Sequence, residues 1–593
     1  MKTDLLNLLK SSSIFSSLHD AALKNLLHKF EKIYIEKDKI VFHQGELSDG
    51  LYFLVSGRLA VFFKAGKGQK KLINEILPGQ TTGELSAISC APRSATAKAV
   101  KKSCLLKLSN EDFISLCREN SSVCLDVMNL SLKQSRNSLK MMFNAPRIRS
   151  NSVVVPANKQ VDLKAFHDEL VKNLKKHPEW AVLSDFDEEK SSDEIRKLIE
   201  NYSQKKKKIL YVIESYHSNL GKICFGFERI DMIYVVGNGK SLPRISRETR
   251  NKIETNKYKI KPELILLYQN KKDKPQHTID WLKAMSFHLH HHIRVYREGD
   301  WQRLSRFITG KAIALVFGGG GLRCWAQLGA VMAIRGANIP IDAIGGVSAG
   351  SIVAGYYAMH ETLKDPEFHL RQLSEVTRQS ISIKNITWPA ASLFNAKGYT
   401  QQLKKIFKNA RVENLWLPFF SVSTNLSNNK LEISRSGRLW KLIRSSTSVP
   451  LVYPPVVIKG KMHLDGGLLN NLPVDVMRKL LSNEGKIIAV ELTHRNEDTK
   501  EYFFPPVLTF WSTLLSKFKI TNKDYKFPQF IDTFLKSLLA GSAAKQEENS
   551  RMADVLITPD LSKFSLLNIS HEDENRLIKI GYKTTMDKIK KIL

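Results

Sequence analysis

Residues 341–357, IDAIGGVSAGSIVAGYY, set Ser348 between Gly346 and Gly350, where an apolar run meets a run of small residues. This is the pattern of a strand, a sharp turn that exposes a hydroxyl, and a helix. A hydroxyl so placed becomes a nucleophile once a neighbouring group takes its proton. Upstream, the apolar run AIALVF ends in Gly318, Gly319, Gly320 and Gly321, followed by Leu322 and Arg323. Successive glycines let backbone N–H groups converge on one point, as stabilisation of an oxyanion requires. Arg323 either holds that loop or attracts an anionic group. The base is harder to place. Of His360, His369, His463, His494 and His571, only His463 lies in a turn motif, and it leads into HLDGGLLNNLPVD. There Asp465 ends an apolar run before two glycines, so a close approach to another backbone is open to it. A carboxylate in that place serves as base without a histidine if burial raises its pKa toward neutrality. The expected site is a dyad of Ser348 and Asp465, with an oxyanion loop of Gly318 to Gly321 and Arg323, and elbow glycines at Gly346 and Gly350.

These residues need a strand, a turn and a helix to hold them, and the chain has room for more than one such scaffold. Its 593 residues exceed the roughly 250–300 over which one hydrophobic core grows, so several domains are expected. Residues 1–145 show short alternating runs such as GLYFLVSGRLAVFF and ATAKAVKKSCLLKLS, the signature of a small β-roll. From 152 to 297, SVVVPA, WAVLSD, KILYVIES, DMIYVVGNG, ELILLYQ and HIRVY alternate with helical patterns, which predicts a middle α/β domain with a parallel sheet. It lacks the glycines and the GK[ST] ending of a phosphate loop. Residues 300–593 form the third segment, an α/β domain opened by a helix for which Asp300 is the expected N-cap.

The 91 Lys and Arg against 58 Asp and Glu give a net charge of +33, an attraction toward polyanions. No helix-turn-helix or base-stacking motif accompanies it, so no nucleic-acid partner is expected, and an anionic membrane surface is. EYFFPPVLTFWSTLLSKFKI, at 501–520, is a candidate interfacial patch. The six cysteines form no CxxC pair, and the N-terminus lacks a signal-peptide core, which points to a cytoplasmic, peripherally membrane-bound protein with no spanning segment. Consecutive histidines at 288 and 290–292 alternate faces on a strand, which argues against a shared metal; no metal and no required cofactor are expected.

In the first segment, GELSAISCAPRSATAKA at 83–99 sets a carboxylate and a guanidinium on one pocket. Glu84 suits a ribose hydroxyl and Arg93 a phosphate. This stretch, with the upstream HQGELSDGLYFLVSGRLAVF, resembles the cyclic-nucleotide-binding domain family. The resemblance implies contact positions at Gly83, Glu84, Arg93, Ser94 and Thr96, and a regulatory cyclic nucleotide, cyclic AMP or cyclic GMP. In the third segment, G-G-G-x-R, G-x-S-x-G and D-G-G in that order resemble the patatin-like phospholipases. SGRLWKLIRSSTSVPLVYPPV, WLPFFSVSTNLS and LLYQNKKDKPQHTIDWL are similar to the neuropathy target esterase subfamily, in which nucleotide-binding domains precede a patatin domain. Cys324 stands where that family has a glycine. The resemblance implies a serine hydrolase that releases fatty acid from phospholipids or lysophospholipids through an acyl-serine. A reading from another class is an inactive, nucleotide-responsive membrane adaptor, against which the complete set of motifs speaks.

Overall fold

Alternating burial in the first hundred residues produces two antiparallel sheets that face each other. One orders Glu31–Ile35, Ser103–Leu108, Leu51–Ser56 and Thr81–Thr82; the other orders Ile40–Phe42, Thr96–Ala99, Leu59–Lys64 and Lys70–Ile76. Phe53, Leu51 and Leu106 bury one face against Phe15 and Phe113 of the flanking helical segments, and Leu54, Leu59, Ala97 and Leu105 fill the inter-sheet space. The computed structural model describes residues 2–590 apart from 65–69, 128–149, 188–189, 227–229, 256–259, 361–384, 389–390, 493–502, most of 505–539 and a few scattered positions. Cys90, the connector NAPRIRSNS and the interfacial candidate at 501–520 lie wholly or mostly outside the described residues. Residues 1–146 form one compact unit and 147–593 a second.

The second unit carries two sheets. The first has six parallel strands in the order Trp180–Ser184, Lys208–Val212, Asn151–Pro156, Met232–Asn238, Glu263–Tyr268 and His290–Arg294. These are the six runs expected from the sequence, and their nearly continuous burial fits a sheet covered on both faces. The loop after Asn151–Pro156 is no phosphate cradle. Asp162 accepts from the Ala165 N–H at 3.0 Å and caps helix Leu163–Leu174, so a carboxylate stands where an anion would sit.

The second sheet has eight strands. Its parallel core runs Phe419–Asn425, Ala343–Val347, Ile313–Phe317, Lys486–Val490 and Val555–Ile557. The antiparallel strand Lys461–Asp465 pairs with Phe419–Asn425 and sets Asp465 opposite Ser423. Residues 339–359 contain a buried strand, Ala343–Val347, and a buried helix, Ala349–His360, as the sequence pattern predicts. Among the described residues no helix is long and apolar enough to cross a membrane.

Histidines join the two sheets. Nε2 of His290 and of His292 both donate to the carbonyl of Glu413, at 3.0 and 2.9 Å, and His288 Nε2 donates to Leu480 O at 3.0 Å. His291 points the other way, into a buried pair with Glu263 at 3.0 Å. The alternation expected of a strand thus sets His291 apart from His290 and His292, and among the described residues no group of His, Cys, Asp and Glu is placed to hold a metal. Asp300 does not cap its helix. The helix begins at Glu298, and the Asp300 carboxylate is taken by the Arg294 guanidinium at 2.7 and 2.9 Å, because a bidentate charged pair outbids a capping bond.

Burial first, and then the neighbouring His291, depresses His290 to about 4; burial and His290 hold His292 well below its ordinary value. A base whose folded pKa is depressed takes up protons on unfolding, so this junction loses stability as pH falls from about 6.5 toward 4. Thermal unfolding of the full chain should therefore move to lower temperature between about pH 7 and pH 5. A double variant, His290→Gln with His292→Gln, should show a flatter dependence. An equal slope in both proteins would exclude these rings as its source.

Candidate active site

Strand Ala343–Val347 and helix Ala349–His360 meet at Ser348 with no room for side chains beside it. A Cβ on Gly346 would lie 2.7 Å from Gly350 C and O, and one on Gly350 would lie 2.5 Å from Gly318 O. Small residues at both positions are the condition for so sharp a turn. Ser348 itself takes φ +52°, a strained conformation for a residue with a side chain. Its surroundings hold it there: Ser348 N–H donates to Ser446 Oγ at 2.9 Å, and Ser351 N–H and Oγ–H donate to Ser348 O at 2.9 and 2.6 Å. Ser446 in turn donates to Val422 O at 2.6 Å, which ties the elbow to the adjoining strand.

Across the sheet, Asp465 ends strand Lys461–Asp465 and meets the serine. Ser348 Oγ donates to Asp465 Oδ2 at 2.6 Å. The other carboxylate oxygen accepts from Gly467 N–H at 2.8 Å, the Asp465 N–H donates to Ser448 O at 2.9 Å, and Thr424 Oγ1 donates to Asp465 O at 2.9 Å. A Cβ on Gly466 would lie 2.4 Å from Val422 O, so the glycine after the aspartate is what lets this corner pack. Burial pushes the Asp465 carboxyl up to about 6, against the lowering effect of the Ser348 and Gly467 bonds. His463 is buried two residues away, but it meets Ser423 Oγ at 3.1 Å rather than the nucleophile, and burial lowers its pKa.

The glycine loop lies beside the serine, since a Cβ on Gly319 would approach Ser348 Cβ to 3.3 Å. Its amides are not equivalent. Gly318 N–H donates to Val490 O and Gly319 N–H to Asn471 O, both at 3.0 Å. Of the four glycines, Gly318 and Gly319 thus have their amides engaged by a later strand and a later turn. Gly321 has φ +55°, and a Cβ there would strike Leu566 O at 2.3 Å. Arg323 anchors the loop, donating from Nε and Nη2 to Phe564 O at 2.9 and 2.6 Å. Cys324, buried next to it, has its thiol pushed up to about 12, chiefly by burial. Ser446 and Asn471 escaped the sequence reading because a serine in SSTSV and an asparagine in NNLP have no distinguishing local pattern.

The nucleotide cassette of the first unit assembles as well. Gly83 (φ +85°) and Arg93 touch, with Arg93 Nη1 donating to Gly83 O at 3.1 Å. Thr96 Oγ1 accepts from Gln44 N–H at 2.9 Å, Ser94 is exposed, and Glu84 is buried at the start of helix Glu84–Ser89. Arg93 is buried and committed: Nη2 meets Asp49 Oδ1 at 2.5 Å and Gly50 O at 2.7 Å, and the guanidinium lies 4.3 Å over the Phe42 ring. Burial raises the Asp49 carboxyl, but bonds from Lys107, Tyr52 and Arg93 outweigh it and hold it at about 2. The internal partner of Arg93 is therefore Asp49 rather than Glu84.

Three family models match the chain in sequence: cyclic nucleotide-binding domain over 32–120, neuropathy target esterase family P-loop like domain over 151–315, and patatin-like phospholipase over 315–478. The curated relatives include patatin-like phospholipase domain-containing protein 7 of Mus musculus, 26% identical over 92% of this chain and 44% of that protein. Neuropathy target esterase sws of Drosophila melanogaster is 27% identical over 93% of this chain and 42% of its own length. Patatin-like phospholipase domain-containing protein 6 of Homo sapiens is 25% identical over 78% and 38%. The chain spans less than half the length of these relatives. The chain thus carries a cyclic nucleotide-binding, a P-loop like and a patatin-like match in that order, and over most of its length it is similar to patatin-like phospholipase domain-containing proteins and to neuropathy target esterases.

Proposed function

We propose that this chain is a carboxylic ester hydrolase that cleaves phospholipids or lysophospholipids through a Ser348–Asp465 dyad. The observation that carries the reading is the 2.6 Å bond from Ser348 Oγ to a buried carboxylate whose pKa lies near 6. Ser348 Oγ attacks the ester carbonyl carbon as its proton passes to Asp465. The carbonyl oxygen becomes an oxyanion held by amides of the glycine loop. Collapse of the tetrahedral intermediate expels the alcohol, protonated by Asp465, and leaves an acyl-serine. Water then gives its proton to Asp465 as it attacks the acyl carbon, and fatty acid departs with the serine restored. The net charge of +33 favours docking of the substrate-bearing surface when that surface is anionic.

Regulation by a cyclic nucleotide at Gly83, Glu84, Arg93, Ser94 and Thr96 is part of the same reading. A phosphate there competes with Asp49 for Arg93, so binding is weakened by the strength of that ion pair.

Hydrolysis of lysophosphatidylcholine tests the dyad. Ser348→Ala and Asp465→Asn should each lower kcat/KM by at least about a thousandfold, and His463→Ala by less than about tenfold. The reverse ranking of Asp465 and His463 would make the histidine the base. The base must be ionised to act, so kcat/KM should rise with pH and level off above a midpoint near 6. A profile flat from about pH 5 to pH 8 would leave Asp465 without that role. In calorimetry on the full chain, Asp49→Asn should tighten cyclic AMP or cyclic GMP binding severalfold and Arg93→Ala should abolish it. Absence of binding by the wild type and by Asp49→Asn would mean a packing module rather than a sensor.

A further inference from the structure

Strands Ala343–Val347 and Phe419–Asn425 run parallel, and their carboxyl ends carry Ser348 and the turn at Leu426. Strand Lys461–Asp465 pairs antiparallel with the last three residues of Phe419–Asn425, Asp465 with Ser423 and His463 with Asn425. Met462 and the turn at Lys459 and Gly460 therefore project beyond that end, as a hairpin closed by Val456–Ile458. The hairpin has two faces. His463 faces inward to Ser423, whereas Met462 and Val457, paired directly across from each other, are exposed. Leu426, whose N–H donates to Met462 O at 2.8 Å, adds a third exposed side chain. A second exposed group is bonded to the residues just before the hairpin. Leu393 and Phe394 N–H donate to Leu451 O and Val452 O at 2.6 and 3.1 Å, and Thr387 N–H donates to Leu393 O at 3.0 Å. These bonds draw Ile386, Trp388, Leu393 and Leu451 together, and all four are exposed, Trp388 by 85%. Both groups attach to the dyad. Asp465 ends the hairpin, and Ser448, three residues before Leu451, accepts the Asp465 N–H at 2.9 Å.

We infer that these residues form the face on which the protein docks to an anionic phospholipid bilayer. Large apolar side chains left in water around one site mark a surface with a partner. Charge selects the partner. Residues 385–464 hold twelve Lys and Arg against two acids, Glu413 and Glu432, and Glu413 is fully buried. From 433 to 464 no acid occurs, while Lys459 and Lys461 flank Gly460 at the hairpin tip. Apolar side chains flanked by lysines fit the boundary between acyl chains and anionic headgroups, where lysine stems lie along the apolar layer and their ammonium groups reach the phosphates. Trp388 suits the same boundary, at which indole rings collect. A second copy docked face to face would instead set these cations against one another. The choice of a bilayer rests on the lipid-hydrolase reading, and the docked face gives that reading a route. Met462 is three residues from Asp465, about 10 Å along the strand, so a lipid lifted from the surface there is already close to Ser348.

The test is sedimentation of the full chain with vesicles of phosphatidylcholine alone and of equal parts phosphatidylcholine and phosphatidylserine. Two double variants change only exposed side chains and leave the dyad untouched: Trp388→Ser with Met462→Ser, and Lys459→Gln with Lys461→Gln. The wild type should bind the anionic vesicles at least about tenfold more tightly than the neutral ones and lose that preference as salt rises. Each double variant should bind the anionic vesicles at least about fivefold more weakly. Both should keep wild-type turnover of a water-soluble short-chain ester and lose turnover of lysophosphatidylcholine carried in anionic vesicles. Ser348→Ala should bind vesicles as the wild type does. A wild type that hydrolyses neither ester yet binds through this face would leave the docking surface standing and remove the hydrolase reading. No binding of the wild type to anionic vesicles, binding unchanged in either double variant, or a wild-type dimer that Trp388→Ser with Met462→Ser dissociates would overturn the surface.

Discussion

The hydrogen bond between Ser348 and Asp465 is the point on which the rest of the hydrolase domain converges. It requires a serine at φ +52° and a carboxylate taken out of water, and neither state is favourable alone. The strain at Ser348 is held by Ser446 and Ser351, and the carboxylate by Gly467, Ser448 and the strand pairing with Phe419–Asn425. Burial costs free energy, and in the proposed reading it also supplies the basicity, because a carboxylate in water, ionised near pH 4, is too weak a base to accept a serine proton near neutrality. A dyad of this kind needs no histidine, and His463 is accordingly occupied by Ser423.

The six-stranded middle sheet is tied by hydrogen bonds to the segment that carries that bond. His290 and His292 on one strand, and His288 just before it, donate to carbonyls of the third segment, the first two to the same oxygen of Glu413. Glu413 is itself fully buried, with its carboxylate on Arg411 and the Gly437 N–H. Neutral imidazoles suit this junction, since each has one N–H to give and no charge to desolvate. The middle sheet thus acts as a wall against which the parallel core of the hydrolase is set.

In the first unit the same trade between burial and pairing has the opposite result. Arg93 is removed from water almost completely, and its charge is answered from within by Asp49 and two carbonyls. A nucleotide phosphate must replace an ion pair there rather than fill a vacant charge.

The elbow, the glycine loop, the aspartate before its two glycines and the six strands of the middle sheet were legible in the sequence. Each depends on contacts within a few residues: period-two burial, glycine conformations, a turn that admits only small side chains. The alternation that keeps His291 apart from His290 and His292 is of that kind. Tertiary structure alone decided which groups remained available. Gly318 and Gly319 lose their amides to Val490 and Asn471, Arg93 is answered by Asp49, and Asp300 is drawn from its helix cap by Arg294. In most of these the partner comes from a distant part of the chain, and even Asp300 and Arg294 belong to different elements. A sequence shows what a residue can bond, whereas which bond is spent depends on the strand or helix that folding brings beside it.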